Sequence, residues 1–176
     1  MTGNSRQLPP SGAPGVVRFR IADEASLKRL ETAVLELAAG KTGEGRYDDM
    51  NWRRLFSDED LRAFWWPSDA ELAAWQRFWL SAPVSQRIGP DMPLPPWDFG
   101  SMIDAILGGE YRLTDVRRVS DDEAELTFAP FAYPYGGIAA LRALVRCFGH
   151  SIIGYDDGCG YQFGDPQPPR WTPPVC

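Results

Sequence analysis

Lysine is almost missing from this chain: Lys28 and Lys41 are the only two, and arginine supplies the rest of the positive side-chain charge. Asp and Glu outnumber Lys and Arg by 24 to 18, for a net charge of -6. A general nucleic-acid or anionic-membrane binder needs clustered cations to meet phosphates. Neither partner class is therefore expected. One stripe runs against the trend: Arg18, Arg20, Arg117 and Arg118 would make a local positive patch on one sheet face.

Long hydrophobic runs are absent as well. No stretch approaches the ~20 apolar residues that a spanning helix requires. The N-terminal MTGNSRQLPPSGAPG has no apolar centre of the secretory kind. Cysteine occurs only at 147, 159 and 176, an odd number at spacings that suit no disulfide framework. A reducing, cytoplasmic location is the expectation.

Catalytic signatures are missing too. There is no G-x-S-x-G and no S-x-x-K. The glycines of KTGEGR do not have phosphate-loop spacing, and no GKS or GKT follows them. The reading leans away from an enzyme, and no cofactor is expected.

What is present is one α+β chain, residues 1–176 read as a single domain. Residues 1–15 form a Pro/Gly/Ser-rich arm. Val16–Ile21 alternates as a half-buried strand. Asp23 caps a helix striped by Leu27, Leu30, Val34 and Leu37, with Gly40 as its expected stop. Residues 41–97 read as a helical and Pro-rich insertion. Ser57-x-x-Asp60 and Ser68-x-x-Glu71 mark helix starts there, the second as a full capping box. Helices are expected near 48–56 and 58–65 and over Asp69–Leu80, where Leu72, Trp75 and Trp79 make one apolar face. Pro83 to Trp97, with prolines at 83, 90, 93, 95 and 96, should be extended.

Asp98 caps a further helix that stops at Gly108-Gly109. Tyr111–Val119 and Ala124–Phe131 form a hairpin about an acidic turn, with Leu126 and Phe128 facing the core. Ile138, Leu141, Leu144, Val145 and Phe148 stripe the next helix, with Arg142 and Arg146 on its other face and Gly149 as its C-cap. HSIIGY reads as a strand, Asp157-Gly158 as a turn, and Gly160–Phe163 as a short return strand. The 166–176 tail is Pro-rich. This order predicts a small antiparallel or mixed sheet with helices on one face, with a ferredoxin-like βαββαβ core as one arrangement.

Candidate chemistry is sparse. His150, the only histidine, with Asp156 or Asp157 as orienter, is a candidate general base. It equally reads as a helix-end cation that complements the dipole. Cys147, His150 and Cys159 with an aspartate offer zinc ligands in outline, but no second tight pair exists and no metal is assigned. Gly136 and Gly137 at a helix start, with Arg142, Arg146 and Tyr155, are candidates for holding an anionic ligand. The paired aspartates at 48–49, 121–122 and 156–157 read as turns.

Aromatic enrichment is the most distinctive feature. Five of the seven tryptophans fall between 47 and 82, and Trp97 and Trp171 are flanked by prolines. Trp, Tyr and Arg dominate interface hot spots. Trp66, Trp97 and Trp171 are the interface candidates. The leading expectation is a binding protein that acts through protein–protein contact and self-associates as a homo-oligomer. The alternative is a small-molecule-binding protein or small enzyme with its pocket between the aromatic insertion and the sheet.

Overall fold

A computed structural model describes residues 14–43, 49–131, 138–156 and 160–173. Alternation in GVVRFR makes β1 (Gly15–Arg20), with Val17 and Phe19 fully buried and Arg18 turned away from them. α1 (Glu24–Thr42) begins where the Asp23 carboxylate accepts the Ser26 N–H at 2.8 Å. The insertion contributes α2 (Asp49–Arg53), α3 (Asp58–Leu61), α4 (Asp69–Ser81) and α5 (Val84–Arg87). α6 (Phe99–Gly108) follows, capped by Asp98. The hairpin is β2 (Tyr111–Arg118) and β3 (Glu123–Pro130). α7 (Ile138–Cys147), β4 (Ser151–Asp156) and β5 (Tyr161–Phe163) complete the described elements.

The architecture is α+β. The sheet order is β2-β3-β1-β4-β5, and every pairing is antiparallel. β1 and β2 therefore run in one direction on either side of β3. β3 and β4 run in the other, on either side of β1. β5, the four insertion helices and one of the two helices α1 and α6 lie outside a βαββαβ order. Phe19, Leu126 and Phe128 are fully buried, in one cluster with Leu30, Met102, Ile106 and Leu141 from α1, α6 and α7. On the other sheet face, Glu123 and Glu125 take up the arginines. Arg18 lies 2.7 Å from Glu123 and Arg117 2.8 Å from Glu125. Arg118 pairs with Glu24, and Arg20 lies 3.7 Å from Asp122. The arginine stripe is thus neutralised by its own sheet and helix neighbours.

Three local expectations need correction. Gly40 does not stop α1, which runs on to Thr42. A Cβ at Gly40 would stand 2.7 Å from the Trp52 ring, so the glycine lets the insertion approach the helix. Lys41, inside α1, donates to the carbonyls of Ile106, Leu107 and Gly109 at 2.5, 3.0 and 2.8 Å. It thereby closes the C-terminus of α6, where a cation suits both orphan carbonyls and dipole. Residues 83–97 are not extended throughout, because Pro83 both ends α4 and opens α5.

The insertion is tied into the core. Trp52, Phe56 and Phe64 are buried in the same cluster as the sheet. Phe56 stacks on Phe148 at 5.2 Å and meets Phe99 edge-on at 5.1 Å. Asp60, buried, closes a full capping box with Ser57 and takes a two-point bond from Arg29 of α1, both at 3.1 Å. The Asp shortens the usual Glu/Gln of that motif yet still reaches the Ser57 N–H at 2.8 Å.

Candidate functional site

α4 has a strong helix start but buries its apolar side chains only in part. Ser68 and Glu71 make a reciprocal capping box, which satisfies two backbone donors. Leu72, Trp75, Phe78, Trp79 and Leu80 then follow within nine residues. None of α4 is buried, and Leu80 is 70 % exposed. The apolar row continues past Pro83, where Val84 is 70 % and Ile88 85 % exposed. Arg87 fastens the junction by donating to the Ala82 and Leu80 carbonyls, each at 2.9 Å.

What α4 does touch is the C-terminal tail. Trp171, buried, sits with its ring centroid 5.4 Å from Trp75, 6.0 Å from Trp65 and 6.4 Å from Phe78. The prolines keep the tail extended, so its few backbone donors can pair sideways. Leu94 N–H donates to Pro169 and Trp171 N–H to Leu94, at 2.8 and 2.9 Å, a parallel bridge between the two Pro-rich segments. Upstream, Gly164 N–H bonds the Ile153 carbonyl at 2.7 Å.

Between α4 and this tail lies an open cleft of about 600 Å³, lined by Ala74, Arg77, Phe78, Ser81, Pro93, Arg170, Trp171 and Thr172. That volume falls within the range of ligand clefts. Its floor is aromatic. Arg77 and Arg170 are exposed, and neither side chain has an ion pair or hydrogen bond among the described residues. A smaller cleft of about 330 Å³ lies among Arg53, Trp66, Leu72, Asp98 and Phe99.

The sequence candidates distribute as follows. Arg142, Arg146 and Tyr155 do come together, but around a group of this chain. Arg142 Nε donates to Asp165 at 2.8 Å, its Nη2 also bonds that carboxylate, and Arg146 reaches the other oxygen at 2.6 Å. Arg142 is buried, not solvent-facing, and its guanidinium lies 4.4 Å from the Tyr155 ring centroid. Tyr155 itself is buried and donates its hydroxyl to Gln162 at 2.9 Å. Gly136, Gly137, Asp157 and Cys159 lie outside the described residues.

His150 is buried and stacks on Phe19 at 4.9 Å. Its Nδ1 accepts the Ala22 N–H at 3.1 Å, so the proton resides on Nε2, which meets no acceptor among the described residues. Burial pushes its pKa below the usual value. The helix-end cation reading therefore gives way: the ring is a neutral acceptor that joins the β1–α1 corner to the end of α7. Asp156 ends β4, opposite Tyr161 and Val16. Cys147 is a free, buried thiol that donates to the Leu144 carbonyl at 3.0 Å, and burial pushes its pKa well up. Among the described residues no group of three or more His, Cys, Asp or Glu side chains is placed to hold a metal.

Of the interface candidates, Trp66 is half-exposed. It stacks on Phe99 at 6.1 Å, and the Arg53 guanidinium lies 4.5 Å from its ring centroid. Trp97 packs on the core, and Trp171 is the anchor of the tail. The sequence reading missed Arg77, Arg170 and the row Leu80, Val84, Ile88. The four-residue spacing of that row was visible, but Pro83 disguised its continuity. No helix among the described residues is long and apolar enough to cross a membrane. Comparison with protein-family models, with curated proteins and with solved structures finds no match.

Proposed function

We propose that this chain is a binding protein that works through protein–protein contact, with the α4–α5 face as the contact surface and self-association as its first mode. One observation carries the reading: Leu80, Val84 and Ile88 recur every four residues along α4–α5 and are 70, 70 and 85 % exposed, with Leu72 of α4 exposed as well. Contiguous exposed apolar surface of this kind marks interaction sites in folded proteins. Tryptophan and arginine, both present here, are the residue types that anchor interfaces. A cytoplasmic location belongs to the same proposal and rests on the sequence, whose three cysteines suit no disulfide framework.

The small-molecule or enzyme alternative has less support. Of its polar groups, His150, Arg146 and Tyr155 already hold partners within the chain, at Ala22, Asp165 and Gln162 respectively, and Asp156 is engaged as well.

Sedimentation velocity from low micromolar to submillimolar protein tests the proposal. Wild type is expected to shift to a larger species as concentration rises. Leu80→Asp and Ile88→Asp, at exposed positions that leave the core intact, should remain monomeric. A wild-type chain that stays monomeric throughout would remove self-association. Association that ignores both substitutions would remove α4–α5 as its surface.

A further inference from the structure

We infer that the cleft between α4 and the tail binds an acidic, extended segment of a partner protein, with a large apolar side chain seated between two carboxylates. The inference rests on the protein-contact reading above and gives that partner its chemistry.

Charge is the first argument. The chain carries a net -6, yet this cleft presents Arg77 and Arg170 with no acid partner among the described residues. Many of the other arginines, among them Arg18, Arg29, Arg117, Arg118, Arg142 and Arg146, have carboxylates in reach, whereas these two line one cleft and have none among the described residues. A guanidinium is a planar donor matched to a carboxylate, and two of them flanking one cleft select for two acids. Shape is the second argument. Phe78 and Trp171 give the lining aromatic surface, and Ser81 and Thr172 contribute hydroxyls. The cleft is open to solvent, as an extended chain requires. The third argument is that the face already holds one extended segment of this chain. The tail's Trp171 lies in an aromatic nest beside the Pro93–Leu94 stretch, in extended form and bridged by backbone bonds. A partner segment would occupy the cleft beside it in the same manner.

The test pans a random dodecapeptide phage library on the immobilised full chain. Enriched peptides should be rich in Asp and Glu around an aromatic or leucine. Synthetic copies should weaken about five- to tenfold with Arg77→Glu or Arg170→Glu, and further as salt rises. Circular dichroism checks that both variants stay folded, as expected for exposed positions. Peptides without acidic bias that lose binding on Leu80→Asp would overturn the acidic assignment while sparing protein contact through α4. Failure to enrich any peptide would also overturn it, and the sedimentation series then decides whether the wider reading survives. Binding of phenyl phosphate at the cleft, seen by a Trp171 indole shift, with no peptide bound, would reassign the cleft to small anions.

Discussion

Arg142 and Asp165 stand 23 residues apart and form the buried hinge pin of the tail: the guanidinium of α7 grips the carboxylate through Nε and Nη2 and also takes the Pro166 carbonyl at 2.7 Å. Arg146 adds the second cation. The described tail, residues 166–173, leaves the sheet from this point and reaches its second anchor at Leu94 and Trp171.

Removing the carboxylate leaves a nearly buried arginine without its counter-ion. Breaking a buried pair from one side costs about 3–5 kcal/mol, and the partial exposure of Arg146 brings the figure here to about 2–4 kcal/mol. Asp165→Ala should lower the urea midpoint accordingly and make residues 166–173 susceptible to protease. Asp165→Asn, which keeps an acceptor oxygen, should lose less. An unchanged midpoint in both variants would show that the pair does not hold the tail.

This arrangement also shows how far the sequence could be read. The two arginines one turn apart on α7 were visible as a site for an anion. That the anion is Asp165 was not, because it depends on β5 returning along β4 and delivering the tail to α7. The strands, the hairpin and the caps at Asp23, Ser68 and Asp98 were legible, since each is set by neighbours within a few residues. Helical periodicity sees only α7 and sets Arg142 opposite the apolar stripe, whereas its burial comes from a tail in extended conformation. Trp52, Phe56 and Phe64 were identified as aromatic excess, but only tertiary contact shows that they complete the core while α4 does not.

His150 gives the fold a pH dependence. Its folded pKa lies below the ordinary 6.5, and burial is the main cause. Below that value the unfolded chain binds the proton more readily than the folded one. The stability it contributes is therefore complete above the unfolded pKa and is lost as pH falls through the folded pKa. Stability should decline as pH falls below about 6.5, with a slope from this one group no steeper than about 1.4 kcal/mol per pH unit. Asp23, held below its usual 3.8 by the Ser26 N–H, adds its own loss only in stronger acid. His150→Asn offers Ala22 a replacement acceptor without a titrating group. Its urea unfolding should be flat between pH 5 and 6.5, where wild type slopes; parallel curves would show that another group is responsible.

Gly40 makes a prediction of unusual sign. In an exposed helix interior, Gly→Ala gains about 1 kcal/mol. Here the added methyl would meet Trp52 at 2.7 Å, and that indole is buried against the core and cannot swing out. Overpacking costs of about 1–3 kcal/mol outweigh the propensity gain. Gly40→Ala should therefore destabilise, and Gly40→Ala combined with Trp52→Leu should recover part of the loss. A stabilised Gly40→Ala would mean that the insertion yields readily at this contact.

Trp171 separates local from global stability. α4 has no buried residue and relies on the tail for its packing, whereas the sheet cluster with α1, α6 and α7 is complete without either. Local opening free energies follow buried apolar contact, so α4 should open well before the core. Trp171→Ala removes the ring that Trp65, Trp75 and Phe78 surround. Hydrogen exchange should then accelerate selectively at the amides of residues 72–82, while those of β1 and β3 keep their protection. The melting temperature should fall by only a few degrees, as about 1 kcal/mol moves it 2–4 °C in a chain of this size. Loss of protection across the sheet as well would mean that the aromatic nest and the core unfold as one unit. The contact face would then be a rigid part of the fold and not a loosely held helix awaiting its partner.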